Sequence, residues 1–261
     1  LEDLFTSFFR SEYNRRNSNL NVLFDYVSVD PIAKAVSFIP HFDEALIVIG
    51  GNSKIVKTLA SFVGDAIQFG RTVKSVTGAP GETFNVEFVN SIGVTSVQNF
   101  SGVFYAAPLG PSLKNVDIEI PRLRPEELEE ARELSYSTND KIELFFTERV
   151  WDRYGGFPCL LLSDFGYQAW ESDLLQPGKD GILTLYPGAA PTDAESANLY
   201  IAQVLEELDK YYPGLIKSFD HHEIRYWPNS YSGALRVGER ADIDFVTKDY
   251  GNFRVIGEAV G

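Results

Sequence analysis

The sequence is poor in the residues that usually carry reactive chemistry. It has one cysteine in 261 residues, Cys159, and no methionine. A single thiol excludes an internal disulfide framework and fits a reducing, cytoplasmic compartment. Cys159 follows a proline and opens a leucine run, which reads as a buried, inert thiol. Only three histidines occur. Two of them form "DHHE" at 220–223, but neighbours on a strand point to opposite faces and cannot share one metal ion without distortion. His41 stands alone and reads as structural or exposed. Basic residues are outnumbered, 23 against 37 acidic, for a formal net charge of −14. That balance argues against a nucleic-acid partner, which needs a basic face. Apolar runs such as "EALIVIGG" fall well short of the roughly 20 residues of a membrane span. The first twelve residues carry three acidic groups and do not read as a signal peptide.

Phosphate-binding signatures are also missing. Neither G-x-G-x-x-G nor G-x-x-x-x-G-K-[ST] occurs, and there is no G-x-S-x-G. "VIGGNSK" at 48–54 is the nearest approach. It reads as a tight turn into a helix, with an anion held on its N–H groups as the alternative. Asn99-Phe100-Ser101 matches N-x-S and reads as a chance occurrence.

What is present is a globular pattern: 44% hydrophobic and 13% aromatic residues, enough for one large domain or two small ones. Residues 1–13 carry a helical stripe. "VDPIAKAVSF" reads as a short helix with Asp30 as N-cap and Pro31 in its first turn. "GGNSKIVKTLASFVGD" reads as a helix whose inner face is Ile55, Leu59 and Phe62, ended by Gly64. The period then changes, and residues 65–109 read as a β-meander starting at "AIQFG" and finishing in the buried strand "GVFYAAPL". "RPEELEEARELSYS" predicts a helix with acidic residues in its first turn. "KIELFF", "PCLLLS", "GILTLYPG", "HHEIRYWP" and "NFRVIGE" predict strands. Between the third and fourth lies a long helix with the capping box Thr192-x-x-Glu195. This order is α+β rather than a βαβ alternation. Lys141, opening an apolar strand after Asp140, reads from its spacing as an edge lysine snorkelling to water.

Several stretches, taken in order, resemble the second half of the flavin-containing amine oxidase family, which includes monoamine, polyamine and L-amino-acid oxidases. They are "VIGGNSKIVKTLASFVGDAIQFGRTVKSV", "GVFYAAPLG", "LSYSTNDKIELFFTERVWD", "GILTLYPGAAP", "YWPNSYSGALRVG" and "FRVIGEAVG", together spanning most of 45–261. The resemblance implies a mixed β-sheet substrate domain backed by helices, at 1–44 and 116–249. It implies a partial FAD-binding domain at 45–115 and 250–261. Lys141 matches the lysine that holds a water near flavin N5. Val73, Ala107, Pro108, Gly257 and Glu258 match positions along the cofactor. Trp151 matches an aromatic of the substrate region. Arg236 stands where the family often has an aromatic, and is placed to pair with a substrate carboxylate. The implied reaction removes hydride from a C–N carbon of a small amine or amino acid, with FAD as acceptor and O₂ reoxidising it. No metal is implied.

The family's N-terminal dinucleotide fingerprint has no counterpart here. The chain is therefore expected to be a fragment, or one chain of a two-chain enzyme whose second chain carries that fingerprint. Two alternatives remain. One is a non-catalytic binding domain that kept the fold and lost the cofactor. The other is a thioether oxidase, from a similarity to prenylcysteine oxidase in the "GGN" turn and the "AAPL…NVDI" stretch.

Overall fold

The computed structural model describes residues 47–78, 83–134, 136, 138–158, 160–163, 165–228 and 244–256. They fall into two compact units. One contains 47–52 and 138–228, the other 53–136 and 244–256. The sequence reading put a boundary after residue 115; in the structure the segment to residue 136 stays with the meander. The helices expected before residue 45, and Cys159, lie outside the described residues.

The meander unit opens with α1 (Ser53–Val63), followed by a 3₁₀ turn at Gly64–Ala66. "AIQFG" is therefore turn and loop, not strand. Strands β1 (Arg71–Thr77), β2 (Phe84–Asn90) and β3 (Thr95–Phe100) form an antiparallel meander. The short β5 (Asp117–Glu119) runs parallel to β1 and completes the order β3-β2-β1-β5. A separate parallel pair joins β4 (Val103–Tyr105) to β11 (Phe253–Val255). Helix α2 (Leu109–Leu113) follows β4, α3 (Pro125–Arg132) follows β5, and α6 (Asp244–Thr247) precedes β11. Val76, Phe84, Leu109, Leu113, Ile118, Phe245 and Phe253 form the core.

α1 departs from expectation in one respect. Its stripe of Ile55, Leu59 and Phe62 is 51%, 60% and 81% exposed, so these side chains do not face a core among the described residues. Periodicity identifies an apolar face; it does not say whether anything covers it.

A buried carboxylate ties this unit together. Glu127, 2% exposed on α3, accepts hydrogen bonds from the Arg124 backbone N–H, the Arg124 guanidinium, Lys248 and the Tyr250 hydroxyl. Burial alone pushes its pKa up, but the donors, Lys248 and Arg124 foremost, outweigh it and hold the carboxyl down at about 2.

The second unit is one five-stranded antiparallel sheet backed by a long helix. Its strands are β6 (Asp140–Phe146), β7 (Leu161–Leu162), β8 (Gln168–Glu171), β9 (Gly181–Gly188) and β10 (Phe219–Arg225), in the order β10-β6-β9-β8-β7. Helix α4 (Ala194–Tyr211) is continued by the single turn α5 (Leu215–Ser218). Ile201, Val204, Leu205 and Leu208 of α4 pack with Ile142, Leu144, Phe146, Leu183 and Leu185. The N-cap of α4 is Asp193, which accepts from Ser196 N at 2.8 Å, and not Thr192. Either residue type serves as a cap; the pattern left the choice one position wrong.

Two predictions follow from these cores. Glu127→Gln lowers the unfolding midpoint at neutral pH. Because the native pKa lies below the ordinary 4.5, the advantage of the parent is complete above that value. It disappears as pH falls toward 2, which paired denaturation curves across pH read directly. Gly181→Ala destabilises by about 1–3 kcal/mol, since its added Cβ would lie 2.5 Å from the buried ring of Trp151; urea unfolding measures it.

Candidate functional site

β6 is the central reason a site can exist on the sheet. Asp140, Ile142, Leu144 and Phe146 are buried, while Lys141, Glu143 and Phe145 are only half-buried. The period of two sends the second set to the face away from α4. Cross-strand register shows what shares that face. Arg225, Glu223 and His221 of β10 lie opposite Lys141, Glu143 and Phe145. On β9, Thr184 and Ile182 lie opposite Glu143 and Phe145, and Trp170 of β8 lies opposite Thr184.

Lys141 does not snorkel freely. Its ammonium sits over two rings, 5.1 Å from the Tyr186 centroid and 5.4 Å from that of Trp170. The rings stand edge to face, 5.9 Å apart at 86°, so the cation is held between two aromatic surfaces. Such contacts contribute about 0.5–1 kcal/mol where solvent reaches them. Further along the face, Phe145 and His221 stack at 4.4 Å and 3°, and His221 Nδ1 lies 2.8 Å from Asp220. Arg225 pairs with Glu223 and approaches Glu143 at 3.9 Å. Without that guanidinium, two carboxylates would stand directly opposite each other, an unfavourable pair. Besides the ion-paired Arg225, the face thus offers the Lys141 charge at a set position beside aromatic walls. It can stabilise negative charge developing on a group placed against it.

The family resemblance, not the spacing, pointed to Lys141, and it passed over the partners Tyr186 and Trp170. Tyr186 was readable from the alternation of "GILTLYPG", whereas β8, four residues long, has no periodic signal to read. Trp151 is placed elsewhere. It is fully buried, packed edge-on against Phe146 at 5.3 Å and near Phe157. The structure therefore makes it part of the α4-side core and does not bring it to the Lys141 face. His221 and His222 pair with Phe145 and Leu144, adjacent residues of β6, and so point to opposite faces.

In the meander unit, Val73 is half-buried on β1 at a register shift between Val73 and Ser75. Ala107 and Pro108 are exposed just past the carboxyl end of β4. Ile256 N donates to Tyr105 O at 2.9 Å, so β4 and β11 end side by side. Gly257, Glu258 and Arg236 lie outside the described residues. A separate groove of ≈ 470 Å³ between β5 and α3 holds none of the expected residues; its Arg132 already pairs with Asp117 and Glu129. The "VIGG" turn uses its donors internally: Gly50 N bonds Gln176 Oε1 at 2.7 Å and Gly51 N bonds Val48 O at 2.9 Å.

The family model for flavin-containing amine oxidoreductases matches residues 2–261. The chain belongs to this family. Comparison with curated protein sequences finds no significant match. Among solved structures, cyclohexylamine oxidase from Brevibacterium oxydans IH-35A superposes with a TM-score of 0.69 at 11% identity, over 99% of this chain and 58% of that one. Putrescine oxidase bound to putrescine gives a TM-score of 0.56 at 13% identity, over 81% of this chain and 48% of that one. A cofactor-binding redesign of putrescine oxidase gives 0.58 at 14%, over 81% and 48%. These likenesses show the amine oxidase fold, and the chain spans about half the length of each match.

Members of the flavin-containing amine oxidoreductase family use a flavin, and in the meander unit one surface has the chemistry to meet such a ligand. The paired carboxyl ends of β4 and β11 are bordered by Ala106 and Ala107, whose methyl groups leave the backbone open to close approach. Ligands of α/β sheets gather beyond such strand ends. In the sheet unit, the Lys141 ammonium held beside two rings is a cation that favours negative charge on a ring that gains electrons. Among the described residues no helix is long and apolar enough to cross a membrane.

Proposed function

We propose that the chain serves an FAD-dependent oxidoreductase of amine-oxidase type, acting on a small amine or amino acid. It does so as a fragment or as one chain of a two-chain enzyme. The observation that carries the reading is the Lys141 ammonium, held by Trp170 and Tyr186 on the open face of the sheet in a chain of this family. Bound flavin would supply the acceptor for hydride leaving the C–N carbon, with O₂ as the final oxidant.

The chain's own residues do the rest. Val73, Ala107 and Pro108, with Gly257 and Glu258, would hold the cofactor, Val73 through its main chain. Lys141 would hold a water and offer positive charge to the bound flavin, favouring its gain of electrons. Trp170 and Tyr186 keep that ammonium in place and exclude other water from its flank. Arg236 orients a carboxylate if the substrate is an amino acid. No strong general acid or base is required, because the cofactor carries the difficult step.

The sequence contains no G-x-G-x-x-G, and this favours a second reading, a binding domain that retains the fold without the cofactor. Visible spectra separate the two. Purified chain, alone and mixed with a chain carrying the fingerprint, is incubated with FAD and desalted. Flavin bands that co-elute with protein support the enzyme and sink the binding-only reading. Colourless protein in both cases sinks the enzyme. In a flavin-loaded preparation, Lys141→Met is expected to slow flavin reduction or reoxidation by on the order of 100-fold. Unchanged stopped-flow rates in both half-reactions would remove Lys141 from the site.

A further inference from the structure

We propose that Asp140 is a positioning residue that sets where Lys141 points. The ladder between β6 and β9 breaks beside Lys141. Asp140 pairs with Gly188 and Ile142 with Leu185, so Tyr186 and Pro187 together oppose Lys141 alone. Two residues against one is a β-bulge. Pro187 accounts for it, since proline has no N–H to give to a ladder. A lysine at such a break has lost part of the main-chain pairing that fixes a strand residue's direction.

The Asp140 side chain supplies the missing restraint. It is 2% exposed. Its Oδ2 accepts from Ala190 N at 2.9 Å, just beyond β9, and its Oδ1 accepts from Trp227 N at 2.6 Å, just beyond β10. One carboxylate thus holds the ends of both strands that flank β6, at the residue before Lys141. On the β10 side the chain is pinned twice, because Asn139 N also donates to Trp227 O at 3.1 Å. Tyr186, one of the two rings around the Lys141 ammonium, lies in the bulge that the Ala190 bond closes. Both oxygens are needed. Asparagine at 140 would offer one acceptor and one NH₂ group, leaving either Ala190 N–H or Trp227 N–H facing another donor. A buried donor left unpaired costs enough to move the local backbone.

The consequence for catalysis rests on Lys141 facing the flavin, but the assignment is testable without it. Reductive methylation with ¹³C-formaldehyde converts lysines to dimethyl-lysines, which keep their charge and give one NMR signal each. The Lys141 signal is the one absent from a Lys141→Arg variant. Two ring faces displace it upfield of the other lysines. Asp140→Asn is expected to lose most of that displacement while circular dichroism stays that of the parent. Asp140→Glu, which keeps the charge but changes the reach, is expected to do the same. A Lys141 signal unmoved in a folded Asp140 variant overturns the proposal. So does failure of both variants to fold, which would make Asp140 a fold determinant instead. Loss of displacement with no flavin bound by any preparation would sustain the positioning role and sink the enzyme reading alone.

Discussion

The five-stranded sheet can bury only one face against α4, and β6 obeys that limit without exception. Its even-numbered residues, Asp140 to Phe146, go inward; the odd-numbered ones go out. A strand with period two has no third choice. The inward apolar set must meet Ile201, Val204 and Leu208. Lys141, Glu143 and Phe145 are therefore committed to the open face before any ligand is considered. Slipping the register by one residue would bury Lys141 and expose Ile142, which the core would not tolerate.

The same sheet shows how an irregularity becomes useful. Pro187 interrupts one ladder at Lys141, and a second register shift near Asp220 lets His221 reach the Phe145 ring. Bulges re-aim side chains, and both lie on strands that flank β6. The polar groups around them are satisfied locally. Arg225 separates two facing carboxylates, and Asp140 accepts from both neighbouring chain segments. Asp140 is buried, and a buried polar group is costly unless paired, so its two bonds hold the strand ends, whereas the exposed Arg225 pairs contribute little.

The meander unit is organised around a different pairing. Glu127 draws together Arg124, Lys248 and Tyr250, and so ties α3 to the segment that leads into β11. That segment aligns β11 with β4. Two parallel strands ending at Tyr105 and Val255 present their carboxyl ends together. An all-antiparallel meander does not offer this arrangement.

Several features were legible in the sequence because they depend on local period and turn chemistry. The strand "KIELFF", the three strands that begin at Arg71, Phe84 and Thr95, and the long helix after "PTDAE" stand where the pattern put them. The family was legible as well; its model matches residues 2–261. Other features needed the folded chain. Trp151 is aromatic and near the site in sequence, yet packing against Phe146 and Gly181 takes it into the core. The α1 stripe looked like a core face, yet its side chains are exposed. Trp170 and Tyr186 are some 30 to 45 positions from Lys141, and only the strand order β6-β9-β8 places them around its ammonium. Alternation along a strand determined which side chains leave the core. Which distant side chains they meet was decided by register and strand order, because pairing energies between strands depend on partners that no local pattern encodes.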